Sequence, residues 1–278
     1  MHLVIQGARL ADDDLRQLAH LADAQRIERL APGACRLIGA QQRPGIAEYC
    51  ARASLDFGFV PENRKLAGMG LLAIDMDSTL ITIECIDELA DMAGVKTEVS
   101  AITAAAMRGE IDYAESLQRR IGLLHGLDAA ALARVYDERL RLSPGAETML
   151  AEMQRAGVKT LLVSGGFSFF TERLTARLGL DYSISNVLEI KGGRLTGRAV
   201  GGIVDAEAKA AKLRSLRNEL GIARERTIAI GDGANDLAMM AEAGVSVAYR
   251  AKPLARGKAD YALDYVGLDG VLNLFAGN

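Results

Sequence analysis

Leu71-Leu72-Ala73-Ile74-Asp75-Met76-Asp77-Ser78-Thr79 is an apolar run that empties directly into two carboxylates two positions apart. The four apolar residues read as a buried strand, and in an open α/β sheet chemistry sits at the carboxyl ends of strands. Successive strand side chains point to opposite faces. Where the backbone begins to turn, Asp75 and Asp77 can therefore converge on one point, with the carbonyl of Met76 or Asp77 left free. Such a point suits a hard divalent cation, because Mg²⁺ prefers oxygen ligands and keeps several waters. A simple turn accounts for the same residues, since Asp and Ser are favoured there by local backbone hydrogen bonds. What the other strand ends carry decides between the two.

The chain has 278 residues, half of them apolar, and a formal charge of −3. Those values describe a globular protein of one large domain or two smaller ones. No uninterrupted apolar run reaches the roughly 18 to 20 residues of a membrane span. Met1-His2-Leu3-Val4-Ile5-Gln6 lacks the basic segment, apolar stretch and cleavage site of a secretory signal, so the expected location is the cytoplasm. Cys35, Cys50 and Cys85 have no metal-type spacing, and their odd number fits a reducing compartment in which they serve as small buried hydrophobes. None of His2, His20 or His125 stands in a pairing context, which argues against Cys85 as a nucleophile. With a slight acidic excess, no basic stripe and no tryptophan, nucleic acid is not an expected partner.

Residues 3 to about 60 read as a small module: strand 3–6, helix 12–22, strands 26–30 and 35–38, and helix 46–55 after Pro44. This β-α-β-β-α pattern is one strand short of a full βαββαβ unit. The polar stretch Pro61-Glu62-Asn63-Arg64-Lys65 has the composition of a boundary, placing one domain at 1–65 and a second at 66–278. From Glu84 to Leu142 apolar residues recur only at helical spacing, broken near Gly94, Gly109 and Gly126, which predicts a helical insertion over about 82–143. Alternation then resumes with a helix to Arg155, strand 160–163, helix 169–178, and a hairpin of 187–190 with 194–196 across a glycine turn. Helix 206–220, strand 227–230, helix 236–243 and strand 245–248 complete the series. The order predicts a doubly wound parallel α/β sheet of Rossmann-like type with a helical cap insertion, preceded by a small α+β module.

A second strand end, at Val163, runs into Ser164-Gly165-Gly166. Backbone amides there can cradle an anion such as phosphate, although an ordinary glycine turn has the same composition. Ser164 lacks the preceding glycine of a nucleophile elbow, Leu162 standing in its place, and has no evident histidine partner. A third strand end supplies Gly231-Asp232-Gly233-Ala234-Asn235-Asp236. Its spacing is superficially that of a dinucleotide loop, but Asp236 replaces the third glycine and two acids would repel a pyrophosphate. They match instead the cation expected beside Asp75. Gly192 to Gly197 has the glycine spacing of a Walker loop, but Arg198-Ala199 stands where Lys-Ser or Lys-Thr is needed.

Lys209 is a less obvious signal. At about 100° per residue it lies near the centre of the Leu213, Leu216, Leu220 stripe, so its ammonium needs an anionic partner unless it snorkels from the first turn. Lys212 and Arg217 flank that stripe and Arg214 points away, as solvated residues do. In the insertion, Tyr113, Leu117, Ile121 and Leu124 form one stripe flanked by Arg120, whose guanidinium fork suits a carboxylate. A surface ion pair is the alternative for Arg120.

Acids on one strand end, a hydroxyl with glycines on a second, a lysine at a helix start and two more acids on a last strand end together make a Mg²⁺-dependent phosphoryl-transfer site. In this order they resemble the haloacid-dehalogenase-like hydrolase superfamily. Within it, Asp75-Met76-Asp77-Ser78-Thr79-Leu80-Ile81 with Glu84, Glu115-Ser116-Leu117-Gln118-Arg119-Arg120-Ile121, Val163-Ser164-Gly165-Gly166-Phe167, the Lys209 segment and Gly231 to Asp236 are similar to the phosphoserine phosphatase family over residues 70–265. Tyr113 stands where many relatives have Phe, and the amino-terminal module is similar to the regulatory ACT-like half of longer members. The resemblance implies hydrolysis of O-phospho-L-serine to L-serine and phosphate, the final step of L-serine biosynthesis, through an aspartyl-phosphate on Asp75 with Asp77 as acid and base. It implies Mg²⁺ on Asp75, the backbone carbonyl of Asp77 and Asp232. It also implies phosphoryl contacts from Ser164, Gly165, Lys209 and Asn235, with Asp236 in support. Glu84 would face the substrate ammonium and Arg120 its carboxylate, under a cap that closes. The implied partner is that small molecule, with neither nucleic acid nor membrane; a homodimer is compatible with the sequence. A phosphotransferase with another alcohol as acceptor would need the same residues, and a non-catalytic amino-acid sensor would not need every acid in place.

Overall fold

A computed structural model describes residues 1–275. Two sheets organise them. The first contains β1 (His2–Gln6), β2 (Arg26–Ala31), β3 (Ala34–Ile38) and β4 (Asp56–Val60), with helices α1 (Asp12–Leu21) and α2 (Ile46–Ala53) in the connections. Its order is β2-β3-β1-β4, antiparallel throughout. β4 completes a βαββαβ unit and corrects the expectation of a module one strand short. Its Phe57 and Phe59 do alternate, but Gly58 between them is a residue depleted in strands. The glycine is there for close approach, since a Cβ would sit 2.6 Å from the ring of Tyr261.

One face of this sheet, with Leu3, Ile5 and Leu37, packs on Leu18, Ile46 and Cys50 of the two helices. The other face joins the carboxyl-terminal segment through Val4 and Val60 and through buried polar groups. Gln6 Nε2 donates to the Gly270 carbonyl at 3.2 Å and its Oε1 accepts from Asn273 at 2.8 Å, while Arg36 donates to the Phe275 carbonyl at 2.5 Å. Asp56 accepts the backbone N–H groups of Asp264, Tyr265 and Val266 at 2.8, 2.9 and 3.2 Å.

The second sheet has the order β11-β10-β9-β5-β6-β7-β8. Its strands are β5 (Leu71–Asp75), β6 (Lys159–Phe167), β7 (Tyr182–Lys191), β8 (Arg194–Val200), β9 (Thr227–Gly231), β10 (Val245–Tyr249) and β11 (Tyr261–Leu263). All neighbours are parallel except β7 and β8, the predicted hairpin. Gly192 and Gly193, at φ +56° and +74°, turn it in two residues, a conformation that other side chains resist. β11 is too short to leave a strand pattern in the sequence.

The predicted insertion is helical: α3 (Cys85–Ala93), α4 (Lys96–Met107), α5 (Tyr113–Leu123) and α6 (Ala130–Arg134). It rests on the hairpin. Gly126 N–H donates to the Leu195 carbonyl at 2.8 Å, Leu195 N–H to Leu127 at 2.9 Å, and Ala129 N–H to Gly193 at 2.8 Å. The remaining helices are α7 (Ala146–Arg155), α8 (Ser168–Leu178), α9 (Ala206–Glu219), α10 (Leu237–Ala241) and α11 (Pro253–Arg256). Leu72 and Ile74 of β5 pack with α7 and α8, while Leu71 and Ala73 pack with α9 and α10. Helices therefore cover both faces, as a parallel sheet requires, and β5 is a continuous apolar run because both of its faces are buried. Among the described residues no helix is long and apolar enough to cross a membrane.

Asp56→Ala leaves three backbone N–H groups at the junction of the two sheets without their acceptor. The expected loss is about 1 to 3 kcal/mol of stability, read as a lower urea midpoint. An unchanged midpoint would mean that water replaces the carboxylate.

Candidate active site

The end of β5 folds back on itself. Asp77 stays extended (φ −65°, ψ 137°), Ser78 turns left-handed (φ +54°), and Ile81 N–H closes the loop on the Met76 carbonyl at 3.0 Å. This brings the start of α3 to the strand end: Cys85 N–H donates to Asp77 Oδ1 at 2.9 Å, and Ser78 Oγ to Glu84 Oε1 at 2.7 Å. Burial and then the Glu84 charge push the Asp77 carboxyl up to about 7, against the pull of Cys85 N–H. An acid so placed exchanges its proton near neutrality.

Lys209 reaches the same point from α9, whose first turn is fixed by Asp205 accepting Ala208 N–H at 2.9 Å. Its side chain is 1% exposed, and Nζ donates to Asp75 Oδ1 at 2.7 Å and to Asp236 Oδ1 at 2.8 Å. The anionic partner required by its place on the apolar stripe is thus a pair of carboxylates. The other oxygen of Asp236 accepts Asp232 N–H at 3.2 Å and Gly233 N–H at 3.1 Å. Gly231 makes room, since a Cβ there would lie 2.5 Å from the Asp236 carboxyl. Arg217 departs from the solvated role expected of it: its side chain is largely buried and donates to the Glu242 carbonyl at 2.7 Å.

Carboxylate oxygens of Asp75, Asp232 and Asp236 lie within 4.8 Å of one another. Burial, then the Asp236 charge, lifts Asp75 well above the usual carboxylate range, only partly opposed by Lys209. Burial likewise pushes Asp232 up to about 6 although Lys252 Nζ lies 3.7 Å from it. Two cationic side chains, one of them surface-exposed, do not neutralise three carboxylates, so the cluster fits a further cation of the hard, oxygen-preferring kind. Asp236 has both oxygens committed, which leaves Asp75 and Asp232 as carboxylate donors. Among the described residues the second oxygen of Asp75 accepts no hydrogen bond.

β6 supplies the facing wall. Ser164 is fully buried, its Oγ accepts Gly166 N–H at 2.8 Å, and the strand bulges between Val163 and Phe167. The Gly165 carbonyl accepts from Asn186 Nδ2 at 2.8 Å and from the Tyr113 hydroxyl of the cap at 3.2 Å. Asn235 is half-buried on the Gly231 to Asp236 loop. Arg120 is half-buried, donates from Nε to the Ser116 carbonyl at 3.3 Å, and has no carboxylate partner among the described residues. It lies on α5 of the cap, the helix that also carries Tyr113. The Glu84 charge acts on both Asp77 and Asp232.

Two participants are not legible in the sequence as parts of the site. Tyr113 reads there as one member of an apolar stripe, standing where many relatives have Phe, although a hydroxyl on such a stripe is a signal that it needs a partner. Asn186 leaves no signal, because a single amide in a strand does not reveal which of its faces is buried.

A model of the haloacid dehalogenase-like hydrolases matches residues 72–241, the span from β5 to α10. The chain belongs to that family. A second model, a domain of unknown function, matches residues 3–46. A phosphoserine phosphatase of a Polaromonas species is 55% identical over 215 residues, 76% of this chain and 91% of the relative. A hydrolase of the same family from Salmonella enterica serovar Typhi superposes with a TM-score of 0.90 at 35% identity, over 100% of this chain and 98% of that one. A probable phosphoserine phosphatase from Vibrio cholerae superposes at 0.87 with 35% identity, over 98% of this chain and 85% of that one.

A Cβ on Gly166 would stand 2.6 Å from Asp77 Oδ2. Gly166→Ala should therefore displace that carboxyl and lower hydrolytic turnover by about 10- to 100-fold, with the circular dichroism spectrum unchanged. Gly68→Ala, where nothing lies within 4 Å, is the matched control.

Proposed function

We propose that the protein hydrolyses O-phospho-L-serine to L-serine and phosphate with Mg²⁺ as cofactor, in the cytoplasm, as the last step of L-serine synthesis. The observation that carries this reading is Asp75. It is buried at a strand end, one oxygen is held by Lys209, and the other is uncommitted beside the Ser164 turn. A carboxylate so oriented is a nucleophile with its line of attack set in advance.

Asp75 attacks phosphorus, the ester oxygen leaves with a proton from Asp77, and an aspartyl-phosphate results. Asp77, now anionic, takes a proton from water as that water attacks phosphorus, which returns Asp75 to its carboxylate. The value of about 7 for Asp77 suits both halves, because the group must give up a proton in one step and accept one in the next. Mg²⁺, held by Asp75, Asp232 and the backbone carbonyl of Asp77, supplies charge neutralisation for the phosphoryl oxygens. Lys209, Ser164, the Gly165 amide and Asn235 hold those oxygens, while Asp236 keeps Lys209 aligned from the side away from substrate. Glu84 receives the substrate ammonium and Arg120 its carboxylate, so the two ends of the amino acid are read by opposite charges. Arg120, which has no carboxylate partner among the described residues, is poised for that role. The cap excludes bulk water, with Tyr113 closing against Gly165.

The test is phosphate release from O-phospho-L-serine with and without Mg²⁺, and trapping of the aspartyl-phosphate. Asp75→Asn should abolish release and trapping while leaving the fold intact, and a label on any residue other than Asp75 would sink the assignment. Substrate identity rests on Arg120. Arg120→Ala should cost about 2 to 5 kcal/mol in kcat/KM for phosphoserine and little for phosphoethanolamine, which lacks the carboxylate. Equal losses on both substrates would make Arg120 a structural residue of the cap.

A further inference from the structure

We infer that Asn186 is a positioning residue for the phosphate-holding turn, an inference that rests on the function proposed above. Asn186 lies in β7 opposite Phe167, where β6 has bulged, and is 1% exposed. Both ends of its amide are committed. Nδ2 donates to the Gly165 carbonyl at 2.8 Å, and Oδ1 accepts the Val204 N–H at 2.8 Å. The partners fix the orientation of the amide, because a carbonyl oxygen requires a donor and an N–H an acceptor.

Those partners belong to different walls of the site. Gly165 is the middle of the Ser164-Gly165-Gly166 turn. Val204 immediately precedes Asp205, the residue that caps α9 and so sets the turn carrying Lys209. One buried side chain therefore spaces the turn against the helix that delivers the ammonium. The peptide unit is planar, so fixing the Gly165 carbonyl also fixes the Gly166 N–H, which donates to Ser164 Oγ at 2.8 Å. That bond uses one of the two lone pairs of the Ser164 hydroxyl and leaves its proton free to be donated to an anion. Tyr113 donates to the same carbonyl, but at 3.2 Å and from the cap; Asn186 is the donor that stays when the cap moves. Asn186 does not touch the substrate and acts through Gly165 and Val204.

Asn186→Asp keeps the size and the acceptor for Val204 but sets a carboxylate oxygen against the Gly165 carbonyl. Binding of inorganic phosphate in the presence of magnesium chloride, measured by calorimetry, should weaken by about tenfold or more, the scale of one lost hydrogen bond. KM for phosphoserine should rise with it. A merely structural role would lower the folded fraction, and with it kcat per mole of chain, without moving the phosphate affinity of the folded molecules. Asn186→Ser, uncharged and too short to reach both partners, should show the same loss and covers the case in which the aspartate variant does not fold. Unchanged phosphate affinity in either folded variant, or failure of both to fold, overturns the inference and makes Asn186 a framework residue. A parent protein that neither binds phosphate nor hydrolyses phosphoserine overturns the proposed function as well, so the two failures are distinguishable.

Discussion

A buried ammonium is the constraint on which the arrangement of the site depends. An unpaired charge in a protein interior is too costly to persist, so Lys209 must find anions wherever α9 places it. Placement is fixed by Leu213 and Leu216 packing beneath the sheet and by Asp205 at the helix start. The ammonium thus arrives between the ends of β5 and β9, where Asp75 and Asp236 receive it at 2.7 and 2.8 Å. Because Asp236 is itself held by two backbone N–H groups, Lys209 has one fixed partner and one that is fixed only through the lysine. Asp75 is therefore held by a charge, and among the described residues its second oxygen accepts no hydrogen bond.

The same pairing sets the electrostatic state of the site. Lys209 is raised above the ordinary lysine value by Asp75 and Asp236 despite its burial, so it stays charged. Asp75, Asp77 and Asp232 all move upward, because burial and the repulsion of neighbouring carboxylates exceed what Lys209 and, at Asp232, Lys252 offset. Carboxylates in this condition hold protons or take up a cation. A divalent ion, which brings two charges to oxygen donors, would relieve Asp75 and Asp232 together.

The parallel strands and their ends are legible in the sequence because buried parallel strands leave unbroken apolar runs, and acids or glycines directly after such runs mark where the chain leaves the sheet. Lys209 is legible for a related reason: a cation on an apolar stripe contradicts its surroundings unless an anion waits for it. β4 is hidden because the glycine that lets it approach Tyr261 also interrupts the strand pattern. Arg217 misleads because its partner, the Glu242 carbonyl, belongs to a backbone whose path the local sequence does not specify. Asn186 lies beyond reach on the same ground, since its partners are 21 and 18 residues away on two different elements. Periodicity reports which side of an element is buried; it does not report what a polar group meets there.

The amino-terminal module is docked by directional polar bonds as well as by Val4 and Val60. Asp56, Gln6 and Arg36 bind carbonyls, amides and a side chain between Asp264 and Phe275. These bonds fix orientation sharply, because each has a required direction and an unsatisfied buried group is costly. The module is therefore fastened to the segment that follows β11, and the Tyr261 hydroxyl, donating to the Phe59 carbonyl at 3.0 Å, ties it to β11 itself. β11 is the sheet edge, separated from β5 by β10 and β9. Part of the site nonetheless lies closer to this edge than β5 does. The segment after β10 carries Lys252, whose N–H donates to the Asp232 carbonyl at 2.9 Å and whose ammonium lies 3.7 Å from the Asp232 carboxylate. Through these two contacts the segment after β10 is coupled to Asp232 directly and to Asp75 only through β9, since β10 pairs with β9 and β9 with β5.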